Sequence, residues 1–77
     1  RADLRSYRTA RWKLVLDFLN PGRDELYDLG LDPAENVNLI DDPRPEARVA
    51  HRELKKMIHD VMRANRDPIF VQSASAP

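Results

Sequence analysis

The chain has 77 residues, with 13 Lys+Arg against 13 Asp+Glu, two His and no Cys; 42% are hydrophobic and 34% charged. That is one small domain, without a disulfide framework, a thiolate metal site or a cysteine nucleophile, and without the roughly 20-residue apolar run that spans a bilayer. Zero net charge argues against an overall basic nucleic-acid binder. No apolar segment of the signal-peptide kind follows Arg1-Ala2-Asp3-Leu4. With no initiating Met and no staple for so small a core, the chain reads as a piece of something longer.

In chain order, Leu4 to Arg8 is a short first strand, and Thr9-Ala10 breaks it. In the segment 11–19, Trp12, Leu14, Leu16 and Phe18 alternate on one face, the pattern of a half-buried strand. Asn20-Pro21-Gly22-Arg23 predicts a type II turn, because Pro presets φ and Gly accepts a positive φ after it. Asp24 to Leu29 reads as an acidic return strand. Asp32-Pro33-Ala34-Glu35 looks like a helix start, with Asp as N-cap and Pro at the first position, lasting a turn through Asn36 and Val37. Asp41-Asp42-Pro43-Arg44-Pro45 is a stiff connector.

From 44–46 to about Ala64 the period becomes helical. Ala47, Ala50, Leu54, Met57, Ile58, Val61 and Met62 fall three and four apart. Asn65 can cap this helix and Asp67-Pro68 ends it. The segment 69–72 reads as one more short strand, and 73–77 as a frayed tail. The resulting expectation is an α+β fold: an antiparallel sheet of three to four strands with one long amphipathic helix packed on it. The divisions are a sheet over 4–29, a connector over 30–45, a helix over 46–64, and a terminal strand or tail over 69–77.

Charge is unevenly placed. Residues 1–23 carry +4, residues 24–43 carry −7 and residues 44–77 carry +3. An acidic middle between basic flanks suits internal pairing. Arg5, Arg8 and Arg11 sit at a period of three, so a strand does not align them, although the turn can gather them. They are the candidates for an anion or cleft contact; the competing reading pairs them with Asp24, Glu25 and Asp28 on the neighbouring strand.

The ordered string Arg8-Thr9-x-Arg11-Trp12-Lys13-Leu14, Glu25-Leu26-Tyr27-Asp28-Leu29, Asp32-Pro33-x-Glu35 and Asn38-Leu39 resembles the C-terminal region of the sulfatase family, over about residues 4–68. The resemblance implies a C-terminal subdomain of an arylsulfatase-like enzyme of the alkaline-phosphatase-like superfamily. In such enzymes a four-stranded antiparallel sheet and a helix pack against a larger α/β domain. It also implies that the parent hydrolyses sulfate esters with a formylglycine made from a Cys/Ser-x-Pro-x-Arg motif and with a divalent metal, commonly calcium. None of those residues falls in this region, so the resemblance implies no catalytic residue and no cofactor here, and a missing N-terminal catalytic domain as partner.

Three look-alikes are set aside. Ser75-Ala76-Pro77 begins like the nucleophile motif but lacks its Arg. Leu39-Ile40-Asp41-Asp42 resembles a metal-binding strand end, yet paired carboxylates alone do not make an oxygen cage. His51 and His59 are eight apart on the helix, about 12 Å at 1.5 Å per residue, too far to share a metal. The expected core is Trp12, Leu14, Leu16 and Phe18 under Leu54, Ile58 and Val61, extended by Tyr27 and Leu29. The other sheet face, with Val15, Leu19 and Leu26, is apolar enough to need cover, by the missing domain or by a second copy. Two rivals stand beside the fragment reading: an independent small protein-interaction module, and a nucleic-acid binder using the basic hairpin. Compartment and substrate are not legible.

Overall fold

The computed structural model describes residues 1–69. Three strands and one helix follow in order: β1 (Leu4–Arg8), β2 (Trp12–Asp17), β3 (Glu25–Asp28) and α1 (Pro45–Ala64). The strands form an antiparallel meander in the order β1-β2-β3, and α1 packs over β1 and β2. This is the α+β architecture expected from the two hydrophobic periods. Among the described residues the sheet has three strands. Pro68 and Ile69 are helical, not extended, because the Asp67 carboxylate accepts from the Ile69 N–H at 3.0 Å and caps that turn. The rest of the expected strand, and the look-alike at 75–77, lie outside the described residues.

The turns follow from single side chains. Thr9 closes the β1–β2 hairpin: its N–H reaches the Trp12 carbonyl at 2.8 Å, and its Oγ1 accepts from the Trp12 N–H at 3.0 Å. At 20–23 the Arg23 N–H donates to the Asn20 carbonyl, and Gly22 has φ 85°, as a type II turn requires. The helix expected from Asp32 is only a turn. Asp32 does cap, accepting from Asn36 and Val37 N–H. Glu35 then takes φ 58°, a left-handed conformation that stops helix propagation.

Register decides which side chains are inside. Leu14 opposes both Tyr7 and Leu26, and Lys13 opposes Tyr27. Leu26 therefore shares the helix-facing side with Leu14 and Leu16, and Tyr27 lies on the opposite side with Val15. This reverses the expected places of Leu26 and Tyr27. Two adjacent apolar residues in a four-residue strand leave its parity open, and the pairing settles it. Leu14, Leu16, Leu26, Leu39, Ala47, Leu54, Ile58 and Met62 form the buried cluster, with Tyr7, Trp12, Phe18, Ile40 and Ile69 packed against it. Val61 is not in it: it is 45% exposed, and Met62, one position on, is buried. The inward row runs 47, 50, 54, 58, 62, and Val61 falls on its flank. On the far face Val15 and Tyr27 are covered, and only Leu19 of the expected trio is exposed. The broad apolar sheet face is thus absent.

Candidate functional site

Residues from the three separated segments around Arg11, Asp28 and Asn38 bind one another. Arg11 crosses from the hairpin turn to β3, where its NH2 lies 3.1 Å from Asp28 Oδ2 and its Nε 3.4 Å from Oδ1. The same carboxylate accepts from Gly30 N–H at 3.1 Å. Arg11 also stacks over the Trp12 ring at 4.8 Å, a cation–π contact. Asp28 is buried, and the Arg11 guanidinium holds its carboxyl below the usual range, against the opposing effect of burial. At Gly30 beside it, a Cβ would stand 3.3 Å from Asp28 Oδ1, closer than an ordinary contact.

Lys13 Nζ, on the far face of β2, meets both Glu35 oxygens at 3.0 and 3.3 Å. Asn38 completes the assembly. Its Oδ1 accepts from Leu26 N–H at 2.9 Å and Ile40 N–H at 3.0 Å, and its Nδ2 donates to the Asp24 carbonyl at 3.2 Å. The Leu39 N–H then donates to the Leu26 carbonyl at 2.7 Å. Tyr27 hydroxyl donates to Glu25 in a short bond, which pushes its ionisation up to about 12.

The three candidate arginines are not brought together. Arg5 faces the helix side and forks onto Asp67, with Nε–Oδ2 at 2.5 Å and NH2–Oδ1 at 3.0 Å, and reaches Asp3 at 2.9 Å. Arg11 is held by Asp28. Arg8 is exposed and has no ion pair among the described residues. Of the acids proposed as partners, only Asp28 takes one of the three. Asp24 accepts instead from the Asp17 N–H at 2.8 Å. The Arg5–Asp67 pair, 62 residues apart in sequence, left no local signal.

His51 and His59 remain apart in function as in spacing. The His51 ring stands 3.4 Å from the Arg48 guanidinium, and burial first, then Arg48, lowers its pKa. Arg48 NH2 is itself held by the Leu39 and Ile40 carbonyls at 3.1 and 2.5 Å. His59 lies against Phe18, with ring centroids 6.4 Å apart. Asp42 serves the connector, accepting from both the N–H and the Nε of Arg44. Among the described residues no group of three or more His, Asp or Glu is arranged to hold a metal ion. No helix among them is long and apolar enough to cross a membrane. No family model and no curated protein matches this chain.

Proposed function

We propose that this chain is the C-terminal subdomain of a sulfatase-like sulfuric-ester hydrolase, completing the fold and part of the cleft wall without supplying nucleophile or metal ligands. The observation that supports this reading is the mutual bonding of the resemblance residues. Arg11 with Asp28, Lys13 with Glu35, and Asn38 with the strand of Leu26 join three separated segments into one scaffold. A string of residues that depend on each other in this way is more specific than its separate pieces. The independent interaction-module reading draws its support from the outer edge of β1, where the Ser6 and Arg8 main chain has no partner among the described residues.

The test uses the whole natural polypeptide that carries these residues. It should hydrolyse an aryl sulfate and contain formylglycine by peptide mass spectrometry. Asn38→Ala should lower its thermal midpoint while leaving formylglycine content unchanged. A whole polypeptide lacking a Cys/Ser-x-Pro-x-Arg motif would sink the proposal. So would sulfatase turnover by the 77-residue chain alone, which would move the chemistry into residues assigned here to structure.

A further inference from the structure

Among the described residues, the two edges of the sheet are treated differently. In an antiparallel pair, alternate residues direct both main-chain groups to the partner, and the intervening ones direct them away. On β3 the outward groups belong to residues 24, 26 and 28. Leu26 N–H is taken by Asn38 Oδ1 and the Leu26 carbonyl by Leu39 N–H. The Asp24 carbonyl takes Asn38 Nδ2, and the Asp28 carbonyl takes the N–H groups of Leu31 and Asp32. Every outward carbonyl of that edge, and the Leu26 N–H, is thus taken.

On β1 the bonds from Thr9 N–H to the Trp12 carbonyl and from Phe18 N–H to the Asp3 carbonyl fix the phase. Residues 3, 5, 7 and 9 face β2, so Leu4, Ser6 and Arg8 direct their N–H and C=O groups outward. No hydrogen bond among the described residues uses Ser6 or Arg8 main chain on that side, and the Leu4 carbonyl accepts there from Arg5 NH1 at 2.9 Å, which leaves its second lone pair. β1 has no Pro and no Lys, and its register with β2 runs without a bulge from Leu4 to Arg8; of the devices that blunt an edge it carries charge alone, Arg5 turned inward onto Asp67 and Asp3 and Arg8 at the strand end.

We infer that the outer edge of β1 pairs with the same edge of a second copy of this chain, making one continuous six-stranded sheet. Several features fit a twofold axis at Ser6. The three outward-facing residues are centred on it, so an antiparallel register sets Leu4 against Arg8 of the second copy, Ser6 against Ser6, and Arg8 against Leu4. Each pair exchanges both main-chain bonds, about six in all. The smallest side chain of the strand falls on the axis. Arg5 brings no net repulsion, because Asp67 and Asp3 already neutralise it. The two Arg8 side chains fall at opposite ends of the ribbon, about 14 Å apart along the strands, beyond the screening length at physiological salt.

The helix fits as well. α1 lies over β1 and β2, so its axis stands about one strand spacing from the twofold axis, and the two helices come about 10 Å apart, an ordinary helix-packing distance. Val61 lines the cleft between α1 and β1 beside Arg5, Ser6 and Tyr7, and is 45% exposed in the single chain. In the pair it meets its counterpart. This assembly does not depend on the sulfatase reading.

The experiment is sedimentation velocity on the 77-residue chain over a concentration series, joined to amide exchange by NMR. The contact is small, so the expected dissociation constant is on the order of 100 μM. Protection of the Leu4, Ser6 and Arg8 amides should rise with concentration. Ser6→Pro removes an outward N–H and no bond within the sheet; it should weaken dimerisation at least about tenfold while the circular dichroism spectrum stays the same. Val61→Lys is the second variant. It leaves the edge intact, places like charges at the helix contact and should also weaken the dimer. A monomer at every concentration overturns the inference. A dimer indifferent to both variants overturns it, as does amide protection at 4, 6 and 8 that is independent of concentration.

Discussion

Asn38 stands in for a strand. One carboxamide satisfies a donor and an acceptor on the edge of β3 and ties the connector to Leu26. Asn38→Ala should therefore cost about 1 kcal/mol, since it leaves the part-buried Leu26 N–H without its acceptor, and should speed exchange of the Leu26 amide. Asn38→Asp keeps the acceptor and loses the donor, so urea unfolding should place it between the two. The sequence, with an asparagine in the connector, offers a side chain that readily bonds to main chain. It does not suggest which main chain, because that depends on where β3 lies relative to a segment a dozen residues later. Arg5 was harder to read. Its neighbours on the strand are not acids, and its partner waits beyond the end of the helix.

At the scale of elements, α1 ends in a Schellman motif. Asp67 N–H returns to the Met62 carbonyl at 2.8 Å and Arg66 N–H to the Arg63 carbonyl at 3.2 Å. The left-handed position is Arg66, at φ 52°, where glycine is the usual residue. Arg66→Gly removes that steric cost at the expense of a more flexible unfolded chain. It should raise stability by about 0.5–1 kcal/mol in urea unfolding. The helix was readable because twenty residues repeat one period many times. Its roll was not: Val61 and Met62 both belong to the apolar stripe, and only contact with the sheet selects Met62. β3 is the opposite case. Four residues containing Leu26-Tyr27 cannot declare a face, and the loop from 18 to 24 sets it.

At the scale of the molecule, the three charge blocks close on one another. The acidic middle meets the first block through Asp28–Arg11 and Glu35–Lys13, and the third through Asp42–Arg44. The carboxyls of Asp28, Asp42, Asp60 and Asp67 are all held below their ordinary values: by Arg11, by the Arg44 N–H, by Lys56 and by Arg5, respectively. Folded-state values below the unfolded ones mean that the unfolded chain binds more protons in acid. The stabilisation is complete above about pH 4 and is lost as the pH falls through the depressed values. His51 acts in the same direction at higher pH: its depressed value makes stability decline once the pH drops below about 6.5. Urea midpoints measured from about pH 7 down to pH 2 should show both declines. His51→Gln should remove the upper one and Asp67→Asn should shrink the lower one.

The fork of Arg5 onto Asp67 has one more consequence. The beginning of the first strand and the exit of the helix lie side by side, so the path from residue 5 to residue 67 is nearly a closed loop. A unit of that shape can be held at a single corner. It can be grafted into a surface loop of another protein, or have residues 5 and 67 bridged and be reopened at the Pro21-Gly22 turn, with little rearrangement of the sheet.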